Sequence, residues 1–235
     1  MNDPNPYQSP TSSVSPLDGV YTWNLTALRN GELWRLMSRW DRFVFTAIAK
    51  TLRLSRRSNG AFRPLEPFSV LPEENLPAMA REKLCPALQS CRELGFQLAF
   101  YCAGDLCDPS ESCEAFCLND SGTIAAELTW IRTRVQPAMV DGVVWSLGSW
   151  LDDGTDLTTW NQRAWYDFPP FIQCLQLPDA TPAELLRRHS GRLQTVAPNR
   201  VMRLDRHRLL DVINADKRRF AEFQIARGVW VPMPG

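Results

Sequence analysis

From Phe96 onward the hydrophobic pattern of this chain changes its period. Residues 96–103, 112–118, 123–134, 143–150, 155–161 and 170–177 alternate apolar and polar positions. A period of two places successive side chains on opposite faces of a pleated strand. The alternation is clearest at Cys113, Ala115 and Cys117, and again at Ile124, Ala126, Leu128 and Trp130. Turn signals separate the runs. Asn119-Asp120-Ser121-Gly122 joins the second to the third. Asp152-Asp153-Gly154 predicts a hairpin, because Asp and Gly tolerate the positive φ of primed turns. Connections this short force antiparallel neighbours. Helical periodicity flanks the block, so the expected fold class is α+β: an antiparallel sheet of about five or six strands with helices packed on one face.

The helices carry their own punctuation. Thr181-Pro182-Ala183-Glu184 opens a helix over 181–195, with a Thr cap, Pro at the first helical position and Glu three residues after the Thr. A last helix is expected over 206–226. Residues 75–94 read as a helix capped by Asn75 and stopped by Gly95, with Ala80, Leu84, Ala87, Leu88, Cys91 and Leu94 as its apolar stripe. Pro86 inside it should kink or split it. Residues 25–55 also read as helical: Leu33, Leu36, Met37, Trp40, Phe43, Val44, Ala47 and Ile48 share one face, and Arg35, Arg39, Arg42, Lys50 and Arg53 fall mostly off it. The expected organisation is a disordered tail over 1–19, an N-terminal amphipathic helical segment over 20–58, a linker over 59–74 and an α+β domain over 75–235.

Length and composition bound the function classes. The chain has 235 residues, enough for a sizeable core, and nine tryptophans that are expected to fill it rather than to form a ligand surface. Formal net charge is zero but unevenly spread: 12 Lys/Arg against 9 Asp/Glu over 1–100, 3 against 12 over 101–180, and 11 against 5 over 181–235. Basic ends folding back on an acidic middle account for this, and a basic face for a polyanion or anionic lipid is the alternative. Seven cysteines with no secretory signal point to free thiols in a reducing, cytoplasmic setting.

Chemistry-bearing residues are sparse. Cys102, Cys107, Cys113 and Cys117 form no paired C-x-x-C knuckle, so no metal is expected. His189 and His207 are the two neutral-pH bases. Asp152, Asp153, Asp156 and Asp167 cluster near the hairpin, where turn formation accounts for them better than acid–base work or Mg²⁺ binding. There is no glycine-rich phosphate loop and no cofactor motif. The candidate ligand pocket is the aromatic neighbourhood of Trp160, Trp165, Tyr166, Phe168 and Phe171, with His189 beside them as a candidate, although the favoured reading is that this loop plugs one end of the sheet core.

The opening Asn5-Pro6-Tyr7-Gln8-Ser9-Pro10 resembles a short tail carried by many uncharacterised bacterial proteins of otherwise unrelated type. Residues 75–195 are similar to a loose set of bacterial α+β proteins without an assigned activity. The features are Leu94-Gly95-Phe96, the hairpin at Asp153-Gly154-Thr155 followed by Thr158-Thr159-Trp160-Asn161, the Pro169-Pro170 loop, and a helix ending in His189. The resemblance implies a fold and assigns no residue a role. The expected function is a non-enzymatic cytoplasmic binding or interaction module. Its partners would be another protein, or an anionic membrane surface met by residues 29–53. One alternative is a small hydrolase-like enzyme using Cys or Asp with His189. The other is a weak nucleic-acid binder through the basic C-terminal helices, disfavoured because no Trp or Tyr stands among their arginines.

Overall fold

The computed structural model describes residues 19–36, 44, 47, 48, 50, 51, 62–104, 110–133, 140–164 and 166–232. Residues 1–18 of the expected tail, most of the amphipathic stretch beyond Leu36, Cys107 and Trp165 lie outside these residues.

Seven strands form the main sheet: β2 (Val70–Leu71), β3 (Phe96–Ala103), β4 (Ser110–Asn119), β5 (Ala125–Thr133), β6 (Val140–Trp150), β7 (Asp156–Trp160) and β8 (Ile172–Gln176). They lie in chain order. Every pair from β2 to β7 is antiparallel, and β8 joins β7 in parallel. The sheet is therefore mixed and larger than the antiparallel sheet of five or six strands expected. The reason is the connection over 161–171. It is long enough to run back along β7, so the next strand enters from the same end; a two-residue turn could not do this.

The period of two divides the sheet as expected. Ala115 and Cys117 of β4, Ala126, Leu128 and Trp130 of β5, and Trp145 and Leu147 of β6 are buried together on one face. Against them packs α2 (Ala78–Glu93) through Ala80, Leu84, Ala87, Leu88 and Cys91, and α3 (Pro182–Leu193) adds Leu185. Each fully buried Leu here stabilises the fold by about 1.5–3 kcal/mol. The opposite face is not bare. Phe100, Cys102, Phe116, Ala125 and Trp150 meet Leu209, Val212 and Ile213 of α4 (Arg206–Ala226). Helices thus cover both faces, which corrects the one-sided arrangement. The apolar stripe of α4 required a second partner surface, and the outer side of β3–β6 supplies it.

A third cluster joins the two ends of the described chain. β1 (Tyr21–Trp23) pairs antiparallel with β9 (Trp230–Pro232). Tyr21, Leu28, Leu33, Phe62, Ala221, Val229 and Trp230 are buried together there. The helix expected from residue 25 begins later, as α1 (Asn30–Leu36), after this strand and a 3-10 turn at Leu25–Ala27. Pairing with residues 230–232 holds Thr22 and Trp23 extended against their local helical setting.

Local signals elsewhere are resolved in detail. Thr181 caps α3, its Oγ1 accepting from the Glu184 N–H at 3.3 Å. Asp205 caps α4 by accepting from the Arg208 N–H at 2.9 Å. Asn75 does not cap α2: it ends a 3-10 turn, and the helix starts after Pro77. A residue before proline resists helical dihedrals, and Leu76 is extended with ψ 136°. Pro86 sits within one continuous helix, on its exposed side. In the hairpin turns the positive φ falls at Gly122 and Gly154, the fourth residue of each, whose N–H returns to Asn119 and Leu151, so neither is a primed turn. No helix among the described residues is long and apolar enough to cross a membrane.

Gly122 combines a φ of +70° with contact: a Cβ there would stand 2.4 Å from the Leu204 carbonyl oxygen, which is backbone and cannot swing away. Gly95, with φ +84°, faces open space. Gly122→Ala is expected to lower unfolding free energy by at least ~2 kcal/mol, and Gly95→Ala by ~1 kcal/mol, in urea titrations.

Candidate functional site

Where α4 leaves the sheet to join the end cluster, a cavity of about 420 Å³ opens between them. That volume suits a small organic ligand. Its floor is the second face of the sheet: Glu127, Thr129 and Ile131 of β5, Val144 and Ser146 of β6, and Asp156, Thr158 and Trp160 of β7. The helix side presents Asp216, Lys217 and Phe220. Tyr166 and Phe168 from the 161–171 connection, with Trp23 of β1 and Trp230 of β9, complete the wall.

The aromatic wall is a closed circuit. Trp23 stacks on Tyr166 with ring centroids 6.1 Å apart and planes at 27°. Tyr166 meets Phe220 edge-on at 5.6 Å, Phe220 meets Trp230 at 5.5 Å, and Trp230 meets Trp23 at 5.4 Å. Phe168 packs on Tyr166 at 5.4 Å and on Trp160 at 6.0 Å. Edge-to-face contacts of this kind hold rings in defined orientations. The Trp230 indole nitrogen is buried without a hydrogen-bond partner.

One buried carboxylate positions the loop that carries Tyr166 and Phe168. Glu32 of α1 is fully buried. Its Oε1 accepts from the Asp167 N–H at 2.6 Å, and its Oε2 accepts from the Arg29 N–H at 2.7 Å and from Arg227 Nη2 at 2.6 Å. The Asp167 carbonyl accepts from Gln224 Nε2 at 3.2 Å, and its carboxylate takes Arg29 and Arg35. Asp167 is thus fixed at N–H, C=O and side chain, and its two neighbours turn their rings inward.

The floor is acidic. Glu127 accepts from Thr129 Oγ1 at 3.0 Å and Asp156 from Thr158 Oγ1 at 2.9 Å. Asp216 accepts from the Trp150 indole N–H and from Arg219 Nη1 at 3.2 Å. Burial pushes the Asp156 carboxyl well above the usual carboxylate range, and the charges of Asp216 and Glu127 push it further. Burial also raises Asp216 to about 6, against the opposing pull of the Trp150 hydrogen bond and Arg219.

Of the six residues singled out on sequence grounds, Trp160, Tyr166 and Phe168 line the cavity. Phe171 is outside it, under the Arg219 guanidinium at 3.6 Å. Trp165 lies outside the described residues. His189 is on the opposite face, fully buried under α3. Ser149 Oγ gives its proton to the Thr123 carbonyl at 2.6 Å, so it accepts from His189 Nε2–H at 2.9 Å. Thr159 Oγ1, 3.0 Å away, then donates to Nδ1. Burial, with Arg192 beside it, lowers this imidazole to about 3. Its partners are two hydroxyls, not the thiol or carboxylate that a catalytic role with Cys or Asp requires.

The described cysteines carry no disulfide, and Cys91, Cys102, Cys113 and Cys117 are buried. Burial raises the Cys113 thiol to about 11, far from nucleophilic at neutral pH. No group of three or more His, Cys, Asp or Glu side chains among the described residues is placed to hold a metal ion. The basic ends do reach acidic partners in the middle: Arg29 and Arg35 pair with Asp167, and Arg200 with Asp152 and Asp153. The described part of the 29–53 stretch buries Leu33 in the core.

Sequence reading passed over Glu127, Asp216, Trp23, Phe220 and Trp230 as site residues. A signal existed for Asp216. It falls on the apolar stripe Leu209, Val212, Ile213, Phe220, where an acid should face solvent only if nothing covers it. Comparison with protein-family models, curated proteins and solved structures yields no match to this chain.

Removing the Glu32 carboxylate leaves Arg227, only 15% exposed, without its counter-charge. Glu32→Ala is expected to cost about 3 kcal/mol in chemical denaturation. For His189 the imidazole titrates near 6.5 when unfolded and near 3 when folded. Its contribution is complete above pH 6.5 and is lost as pH falls toward 3. The stability gap between wild type and His189→Gln should therefore narrow as pH drops from about 7 to about 4.5, read from urea midpoints.

Proposed function

We propose that this protein is a non-enzymatic binding module whose ligand occupies the cavity between the second face of the sheet and α4. The observation that carries the reading is a space of about 420 Å³ with one wall of mutually packed aromatic rings, Trp23, Tyr166, Phe220 and Trp230. Apolar side chains normally collapse on one another, since a void forfeits dispersion contacts. Here Glu32 and the β1–β9 pair brace the walls apart from the floor. The wall is built from four separate parts of the chain, so its upkeep serves the enclosed space rather than any one element.

Catalysis finds less support. His189 is satisfied and on the other side of the sheet, and burial holds the Cys113 thiol protonated. For nucleic acid, Arg192 is turned inward to the Thr158 and Gln173 carbonyls, and Arg219 to Gly154 and Asp216. These cations serve the fold rather than an outward phosphate track.

The neutral dye Nile red tests the cavity. Saturable binding with enhanced emission is expected for the full chain. It should vanish in Val144→Phe, which fills the floor, while cooperative unfolding is retained. Absence of saturable binding, or equal binding by Val144→Phe, would refute the assignment.

A further inference from the structure

We infer that the ligand of this cavity is a small organic cation, its positive head set over Asp156, Glu127 and Asp216 and its body against the aromatic wall. This rests on the cavity being a ligand site, and adds the ligand's charge and orientation.

Three independent features agree. The first is sign. Glu114, Glu127, Asp156 and Asp216 line the space, and Lys217 is the one basic residue among the described lining. Lys217 is already engaged at the rim: its ammonium donates to the Glu66 carbonyl and lies 4.0 Å from the centre of the Phe68 ring. The second is the wall chemistry. Trp, Tyr and Phe faces attract cations through their ring quadrupoles, more strongly when water is excluded. The wall includes Trp23, Tyr166 and Trp230, and it stands against a floor where Trp160 lies beside the carboxyls. An anionic ligand would meet repulsion from the buried Asp156 and Asp216. The third is energetic. Asp156 and Asp216 are each less than a tenth exposed, and each would be more cheaply buried as an apolar residue. Arg219 offsets Asp216 alone. Arg192 lowers the Asp156 carboxyl only weakly, from the far side of β7, where it is committed to backbone carbonyls. Cys174, whose thiol is pushed up to about 12, brings no positive charge. An entering cation supplies what the protein itself leaves out.

A pH signature follows with a definite sign. The cation binds the ionised carboxyls more tightly than the protonated ones, so affinity rises with pH and binding releases a proton.

The experiment titrates the full chain with benzyltrimethylammonium, following tryptophan emission and indole N–H NMR shifts. Nile red binding is measured in parallel as a neutral control. Saturable cation binding is expected, weakened about tenfold in both Asp156→Asn and Glu127→Gln. Nile red should still bind both variants saturably, so that loss of cation affinity is distinguished from loss of the cavity. Wild-type cation affinity should rise about fourfold from roughly pH 5.5 to 7.5. Asp156→Asn keeps the oxygen that accepts from Thr158, and it should unfold at or above the wild-type denaturant midpoint. Cation binding equally strong in both variants would overturn the inference, as would affinity flat or falling with pH. If Nile red binds and the cation does not, the charge assignment falls and the cavity assignment stands. If neither binds, both fall.

Discussion

The Glu32 carboxylate is buried where no water can hydrate it, so its charge must be met by the protein's own donors. Those donors come from three places. Arg29 belongs to the start of α1, Asp167 to the connection between β7 and β8, and Arg227 to the end of α4. Because an unmet buried charge costs several kcal/mol, these three segments are held in one arrangement. The aromatic rings of Tyr166 and Phe168 inherit their direction from it, and so does the distance between wall and floor.

The same sheet serves two purposes with opposite packing logic. On the α2 side small and medium residues interdigitate with helix side chains, and Trp130 is completely enclosed. This is stability of the ordinary kind. On the α4 side, tight packing around Leu209, Val212 and Ile213 gives way to acids and open space further along the helix. Carboxyls raised by burial destabilise the fold at neutral pH, since the folded state must either ionise them in a poor solvent or hold extra protons. A protein tolerates such a burden when the dense half of the structure carries enough surplus.

Much of the fold was legible in the sequence because the signals are local. Cys113, Ala115 and Cys117 face one way because a pleat has a period of two. Thr181 caps a helix because its hydroxyl reaches the third N–H. The parallel entry of β8 and the pairing of Tyr21 with Pro232 depend on chain paths, for which neighbouring residues carry no mark. The site was half visible. Trp160, Tyr166 and Phe168 stood out by aromatic density. Glu127 and Asp156 alternate with buried neighbours, and in sequence they are indistinguishable from the wetted side of a half-exposed strand. Only the placement of α4 over that side turns them into the floor of a chamber. Pro77 shows the reverse case: its constraint on Leu76 was readable, and it outweighs the capping preference of Asn75.

The pairing of β1 with β9 also sets an order of events. During synthesis, strands β2 to β8 and their first helices can assemble from contacts between near neighbours in the chain. The cavity wall is incomplete until Trp230 has emerged and met Trp23, far upstream in the sequence. A nascent or clipped chain without residues 230–232 thus lacks part of the cavity wall even when its pleated scaffold is intact. A molecule bound inside would act as a latch on that final seam, favouring the chain with its extremities joined.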